Sequence, residues 1–156
     1  MNVTVISDAS RCHETGLGGY AFWIACSRGK KSGEGIFKKP LQDINVGETM
    51  AMLNALQHGI NSGHIVKGDS VLMQTDSQTA IHMLMGRKTI KKGIERTLVS
   101  WYLDKILQFD LTVSFKHVKG HTRVQDSRSK ANRRCDQRAR RMMKQARSQL
   151  QQELAI

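Results

Sequence analysis

At 156 residues, with 39% hydrophobic residues and a single proline, the chain suits one globular domain and is too apolar for a disordered one. A domain of this length buries roughly 68–70% of its unfolded surface, enough for a real core. Against 13 Asp and Glu stand 25 Lys and Arg, a net charge of +12, and this field attracts polyanions, nucleic acid first among them. No basic amphipathic helix with a greasy face stands out, which sets an anionic membrane aside.

Cys12, Cys26 and Cys135 lie far apart and form no C-x-x-C pair, which argues against structural zinc and suits free thiols in a reducing compartment. The opening MNVTVISDAS has no charged leader followed by a long apolar run, and nothing approaches the roughly 18 apolar residues of a membrane span. A cytoplasmic protein is expected, acting as a monomer and without a membrane partner.

In chain order, VTVIS (3–7) is a β-branched run that ends at Asp8. GGYAFWIACS (18–27) is apolar on both faces and reads as an interior strand. RGKKSGEG reads as a turn into a third strand, GIFKKPL, whose Pro40 suits an ending. These three form an antiparallel meander. The period then changes: Met52, Leu53, Leu56 and Ile60 recur at helical spacing between Gly47 and Ser62, and Gly63 stops the helix. SVLMQTD (70–76) is a buried strand, SQTAIHMLM a helix capped by Ser77, and GIERTLVSWYLDKILQF (93–109) a further helix. LTVSFKHV (111–118) alternates like a strand, 119–130 is a polar loop, and a basic helix fills about 131–152. The order is mixed α/β, with no repeat and no linker, so residues 1–156 are expected to form a single domain.

The placement of the acids carries chemistry. Asp8 ends the first strand and Asp76 the fourth. If the helix between them makes those strands parallel neighbours, their ends lie about 4.8 Å apart. Glu48 opens that crossover helix, and Asp136 stands among arginines near the start of the last one. Four carboxylates at one sheet edge would repel each other and raise their own pKa values. Two Mg²⁺ ions would relieve that, and two such ions roughly 3.5–4 Å apart can clamp an in-line phosphodiester displacement. Each acid also has a plain structural role open to it. Asp136 can pair with Arg140 one helical turn on, Glu48 can favour a helix dipole, and Asp76 can precede the Ser77 cap. His58 and His64 are better read as solvated than as a metal pair.

DAS (8–10), NVGE (45–48), TDSQ (75–78), KGH (119–121) and NRRCDQRA (132–139) together resemble the ordered motifs of type I ribonuclease H, from residue 3 to about 145. The resemblance implies a ribonuclease H-like fold: a five-stranded mixed sheet, an antiparallel meander followed by parallel strands, flanked by helices. It implies cleavage of the RNA strand of an RNA–DNA hybrid with two Mg²⁺ or Mn²⁺ ions. By similarity Asp8, Glu48, Asp76 and Asp136 would hold the metals, and His121 would assist proton transfer or product release. Asn45 and Gln78 match positions that meet nucleic acid in the minor groove, where 2′-hydroxyls distinguish RNA. GRKTIKKGIER resembles a shortened basic protrusion, which makes Lys88, Lys91 and Lys92 candidate phosphate contacts, with Arg133 and Arg138 of the last helix beside them.

Three stretches depart from the pattern. RCHETGLGG places Glu14 where an asparagine is usual, QDIN puts Asp43 near an expected phosphate, and the fourteen residues TRVQDSRSKANRRC lengthen the segment between His121 and Asp136. The competing readings are another nuclease of the same fold acting on DNA, as a junction resolvase or exonuclease, and a catalytically silent nucleic-acid-binding module.

Overall fold

A computed structural model of the chain describes residues 1–87, 90, 93–118 and 127–155. His121, Lys88, Lys91 and Lys92 lie outside the described residues, as does the KGH motif. The described chain runs β1 (Asn2–Arg11), β2 (Gly18–Cys26), β3 (Gly29–Ile36), α1 (Ile44–Asn61), β4 (Ser70–Thr75), α2 (Gln78–Leu84), α3 (Ile94–Gln108), β5 (Thr112–His117) and α4 (Ser127–Leu154). The strands form one mixed sheet in the order β3-β2-β1-β4-β5, antiparallel through β3-β2-β1 and parallel through β1-β4-β5.

Residue alternation along β1 sorts the two faces. Val3 and Val5 join Phe22, Ile24, Met52, Leu56, Val71 and Met73 in the larger core, under α1 and α3. Ile6 turns the other way and packs with Ala21, Cys135 and Ala139 under α4. Each such large apolar side chain contributes about 1.5–3 kcal/mol through burial. The helix α4 approaches the sheet closely because its inward residues are small: Ser129, Asn132, Cys135, Ala139 and Ala146 are buried, at the spacing of one helix face. Gly19 completes the fit. A Cβ there would lie 2.6 Å from the Met143 nitrogen and 2.8 Å from the Ala139 carbonyl oxygen.

Several boundaries differ from the sequence expectation. The third strand is Gly29–Ile36, inside the stretch read as a turn, and GIFKKPL only continues from its last residues. β3 is an edge strand whose glycines make room for aromatic rings: a Cβ at Gly33 would lie 2.5 Å from the Phe22 ring, and one at Gly35 2.6 Å from the Tyr20 hydroxyl. The helix α1 begins at Ile44, because Asp43 caps it, its Oδ1 accepting from the Val46 N–H at 2.9 Å. That is the work Asp43 does here. And α4 begins at Ser127, within the stretch read as a loop, so Asp136 stands in its third turn and not near its start.

The amino end of the parallel strands is tied by Asp69. Its buried carboxylate accepts two bonds from the Arg28 guanidinium, at 2.7 and 3.0 Å, and one from the Val66 N–H at 2.9 Å. Arg28 beside it holds its pKa down, from 3.8 to about 2.

Candidate active site

Asp8 lies within β1 and does not end it, since β1 stays paired with β2 as far as Arg11. Its position is nonetheless a boundary. The β1–β4 ladder closes at Ile6 opposite Gln74, and two residues further along each chain stand Asp8 and Asp76. The β1–β4 crossover makes the strands parallel neighbours, so both aspartates emerge at the carboxyl edge of the sheet, where open α/β sheets bind ligands. Glu48, in the first turns of α1, reaches the same edge. Its Oε1 accepts from the Ala9 N–H at 3.3 Å, an N–H shared with Asp8 Oδ1 at 3.0 Å.

Carboxylate oxygens of Asp8, Glu48 and Asp76 lie within 4.8 Å of one another. Asp8 and Glu48 are nearly inaccessible, at 3% and 4% exposure. Burial raises Asp8 from 3.8 to about 8, and the Asp76 charge adds to it. Burial, then the charges of Asp8 and Asp76, push Glu48 well above its ordinary value. Asp76 is raised too, by burial first and by Asp136 next. Glu48 Oε2 is buried with no hydrogen-bond partner among the described residues. A buried carboxylate oxygen without a donor, inside a group of mutually repelling acids, is the environment a hard cation relieves. The residues therefore fit a divalent metal.

Asp136 borders the same cleft but stands outside the 4.8 Å group. Its side chain is a third exposed and pairs with Arg140 Nε at 3.3 Å, so the plain helix pairing is present alongside its place by the acids. The cleft, about 250 Å³, is lined by Asp8, Asp76, Asn132, Arg133, Asp136, Gln137 and Arg140, an acidic floor with cationic walls. A larger and more apolar cavity, about 490 Å³ beside Tyr20, Phe37 and Met50, holds none of the acids, so chemistry and not size locates the site.

The other candidates divide. Asn45 and Gln78 flank one buried hydroxyl: Ser77 Oγ donates to Asn45 Oδ1 at 3.1 Å and accepts from the Ala80 N–H at 3.1 Å. That bond ties the first turn of α1 to the cap of α2 and occupies the Asn45 amide oxygen, and Gln78, the next residue after the cap, is exposed. Arg133 lines the acidic cleft. The Arg138 guanidinium is engaged with Glu34 of β3 at 3.1 Å, and Arg141 joins the same carboxylate at 2.8 Å, so this pair clamps α4 to the sheet edge. His58 stacks on Phe22 and His64 bonds Ser62, neither serving a metal pair.

Two features escaped the sequence. His117 bonds the Asp76 carbonyl oxygen at 3.0 Å and lowers the Asp76 pKa against the other influences, a role that its place opposite Thr75 at the end of β5 could have suggested. Asn132, Gln137 and Arg140 line the cleft, and only helical spacing around Asp136 points to them.

Sheet order, crossover and an acid cluster set in a basic surface define the class: a nucleic-acid hydrolase built on a mixed α/β sheet. The chain belongs to the RNase H family, whose model matches residues 1–144, and it is a ribonuclease H. No curated protein matches it closely. Among solved structures it is similar to the N-terminal RNase H domain of a Mycobacterium tuberculosis protein, solved as a fusion with maltose binding protein, at TM-score 0.73 and 18% identity over 96% of this chain and 98% of that one. It is similar to RNase H1 from the halophilic archaeon Halobacterium salinarum at TM-score 0.72 and 17% identity, over 94% and 100% of the two chains. LC11-RNase H1, in complex with an RNA/DNA hybrid, matches at TM-score 0.70 and 15% identity over 92% and 98%.

Proposed function

We propose that this chain is an endonuclease that hydrolyses the RNA strand of RNA–DNA hybrids. The observation that carries the reading is the close triad of buried Asp8 and Glu48 with half-buried Asp76, in which Glu48 Oε2 has no hydrogen-bond partner among the described residues, within a family of ribonucleases H. The complex of LC11-RNase H1 with an RNA/DNA hybrid supports the substrate class.

Asp8, Glu48 and Asp76, with Asp136 across the cleft, would hold two Mg²⁺ or Mn²⁺ ions. When bound, such ions supply Lewis-acid charge to the attacking and leaving oxygens of an in-line displacement. The chain's own groups do the rest. Arg133 and Arg140 face the phosphate over the acidic floor, and Arg140 stays positioned by Asp136. Asn45, oriented by Ser77, and Gln78 present amides to the minor groove, where RNA offers 2′-hydroxyls. His121 and the lysines at 88, 91 and 92 complete the proposal as proton-transfer and phosphate-binding groups. Attack in line by water leaves 5′-phosphate and 3′-hydroxyl ends.

Product analysis on an end-labelled hybrid with Mg²⁺ tests this. The reading expects 5′-phosphate and 3′-hydroxyl RNA ends with an intact DNA strand, and neither product from Asp76→Asn. Cyclic-phosphate ends would contradict it.

A further inference from the structure

Trp23, Lys30, Lys130, Ala131 and Arg134 line a cleft of about 220 Å³. Around α4 the residues of this cleft and those of the acidic one fall on opposite flanks, with the sheet between them below. Trp23 faces α4 from β2, between Ile6 of β1 and Ser32 of β3. Trp23 and Ala131 each pack against the small core under α4. Trp23 is half-buried, and Lys30, Lys130 and Arg134, which line the cleft with it, are exposed.

Packing alone does not account for this group. An aliphatic residue would pack on that core as well and would need no cations around it. No acid lines the cleft, and none of the three cations makes an ion pair among the described residues. None lies over the Trp23 ring either, whereas Lys105 sits 5.5 Å above the ring of Trp101. The indole face is left for a ligand, and the ligand must carry negative charge at several points around a flat apolar group.

We propose that this cleft binds single-stranded nucleic acid, a base stacking on Trp23 while Lys30, Lys130 and Arg134 hold flanking phosphates. Duplex is the poorer fit, because its bases are already stacked on each other and cannot reach a ring at the bottom of a cleft this small. Aromatic stacking together with a cationic track is how single strands are held without sequence preference. The helix α4 is about 10–12 Å across, which puts the two clefts within the span of a few nucleotides. A single strand extending from a bound hybrid can therefore round the helix and engage Trp23.

The chain contains two tryptophans, so Trp101→Phe leaves Trp23 as the one reporter. Titration in EDTA with an oligothymidylate of about a dozen nucleotides is expected to quench its emission saturably, while inorganic polyphosphate leaves it unchanged. With both tryptophans kept, anisotropy of a labelled oligothymidylate compares two charge-matched variants. Lys30→Ala/Arg134→Ala is expected to weaken binding about ten-fold more than Lys39→Ala/Lys67→Ala. This second arm stands even if Trp101→Phe folds poorly. Equal quenching by both polyanions, no quenching by either, or equal weakening in the two variants would overturn the proposal. EDTA keeps every readout independent of hydrolysis, so failure here leaves the reading of the acidic site as it was.

Discussion

Asp8→Asn should make the metal-free protein more stable while abolishing its hydrolysis. Asp8 titrates near 8 in the folded chain and near 3.8 unfolded, because it is buried beside Asp76 and Glu48. An acid whose folded pKa is raised binds more protons folded than unfolded between those values. Stability is therefore whole below about pH 4 and falls as pH rises toward 8. At about 1.4 kcal/mol per pH unit, the ceiling at pH 7 is about 4 kcal/mol. Glu48 and Asp76 share that strain, so a gain of about 2–4 kcal/mol is expected from the substitution. Asparagine keeps an oxygen for the Ala9 N–H and offers an N–H to Glu48, so little is lost in exchange. For a chain of this length, 1 kcal/mol moves Tm by about 2–4 °C. Circular-dichroism melts in EDTA at pH 4 and pH 7 read the difference, which should be near zero at the first and large at the second. Added Mg²⁺ should stabilise the wild type more than the variant and narrow the gap. A variant no more stable at pH 7 than at pH 4 relative to wild type would refute the reasoning.

Asp69→Asn should act in the opposite sense. The folded pKa near 2 lies below 3.8, so Asp69 contributes about 2 kcal/mol above pH 4, lost as pH falls through 2. Denaturant unfolding of both proteins should show the gap at pH 7 and its closing in acid. Gly19→Ala should cost about 1–3 kcal/mol and also reduce hydrolysis, because the added methyl presses on Ala139 and Met143 and moves the helix that carries Asp136. Melting and initial rates measured together would check it; lost stability with unchanged rate would separate the packing from the site.

Where the apolar pattern was strong, the sequence was legible. The spacing of Met52, Leu53, Leu56 and Ile60 marked α1, and SVLMQTD marked the strand β4, which ends at Thr75, just before Asp76. Asp8 and Asp76 were expected side by side because a right-handed crossover sets the ends of β1 and β4 together, and Glu48 opens the helix between them. β3 was hidden because its glycines serve the Phe22 and Tyr20 rings of the neighbouring strand, a relation absent from GKKSGEGI itself. The start of α4 was hidden because its inward residues there, Ser129 and Asn132, are polar and give no apolar period. Nothing local marked Asp43 as a cap, or paired Arg138 with Glu34 about a hundred residues away. The unequal standing of the acids, three tightly grouped and Asp136 held by Arg140, depends on side-chain positions that spacing does not carry.

The most direct measurement offers the protein four labelled duplexes of one sequence: RNA–DNA, RNA–RNA, DNA–DNA and a four-way junction. Each is incubated with Mg²⁺ and with EDTA, beside Asp76→Asn. The account predicts cutting of only the RNA strand of the hybrid, only with metal, and none by the variant. Cutting of DNA or the junction, or binding of the hybrid without any cutting, would contradict it.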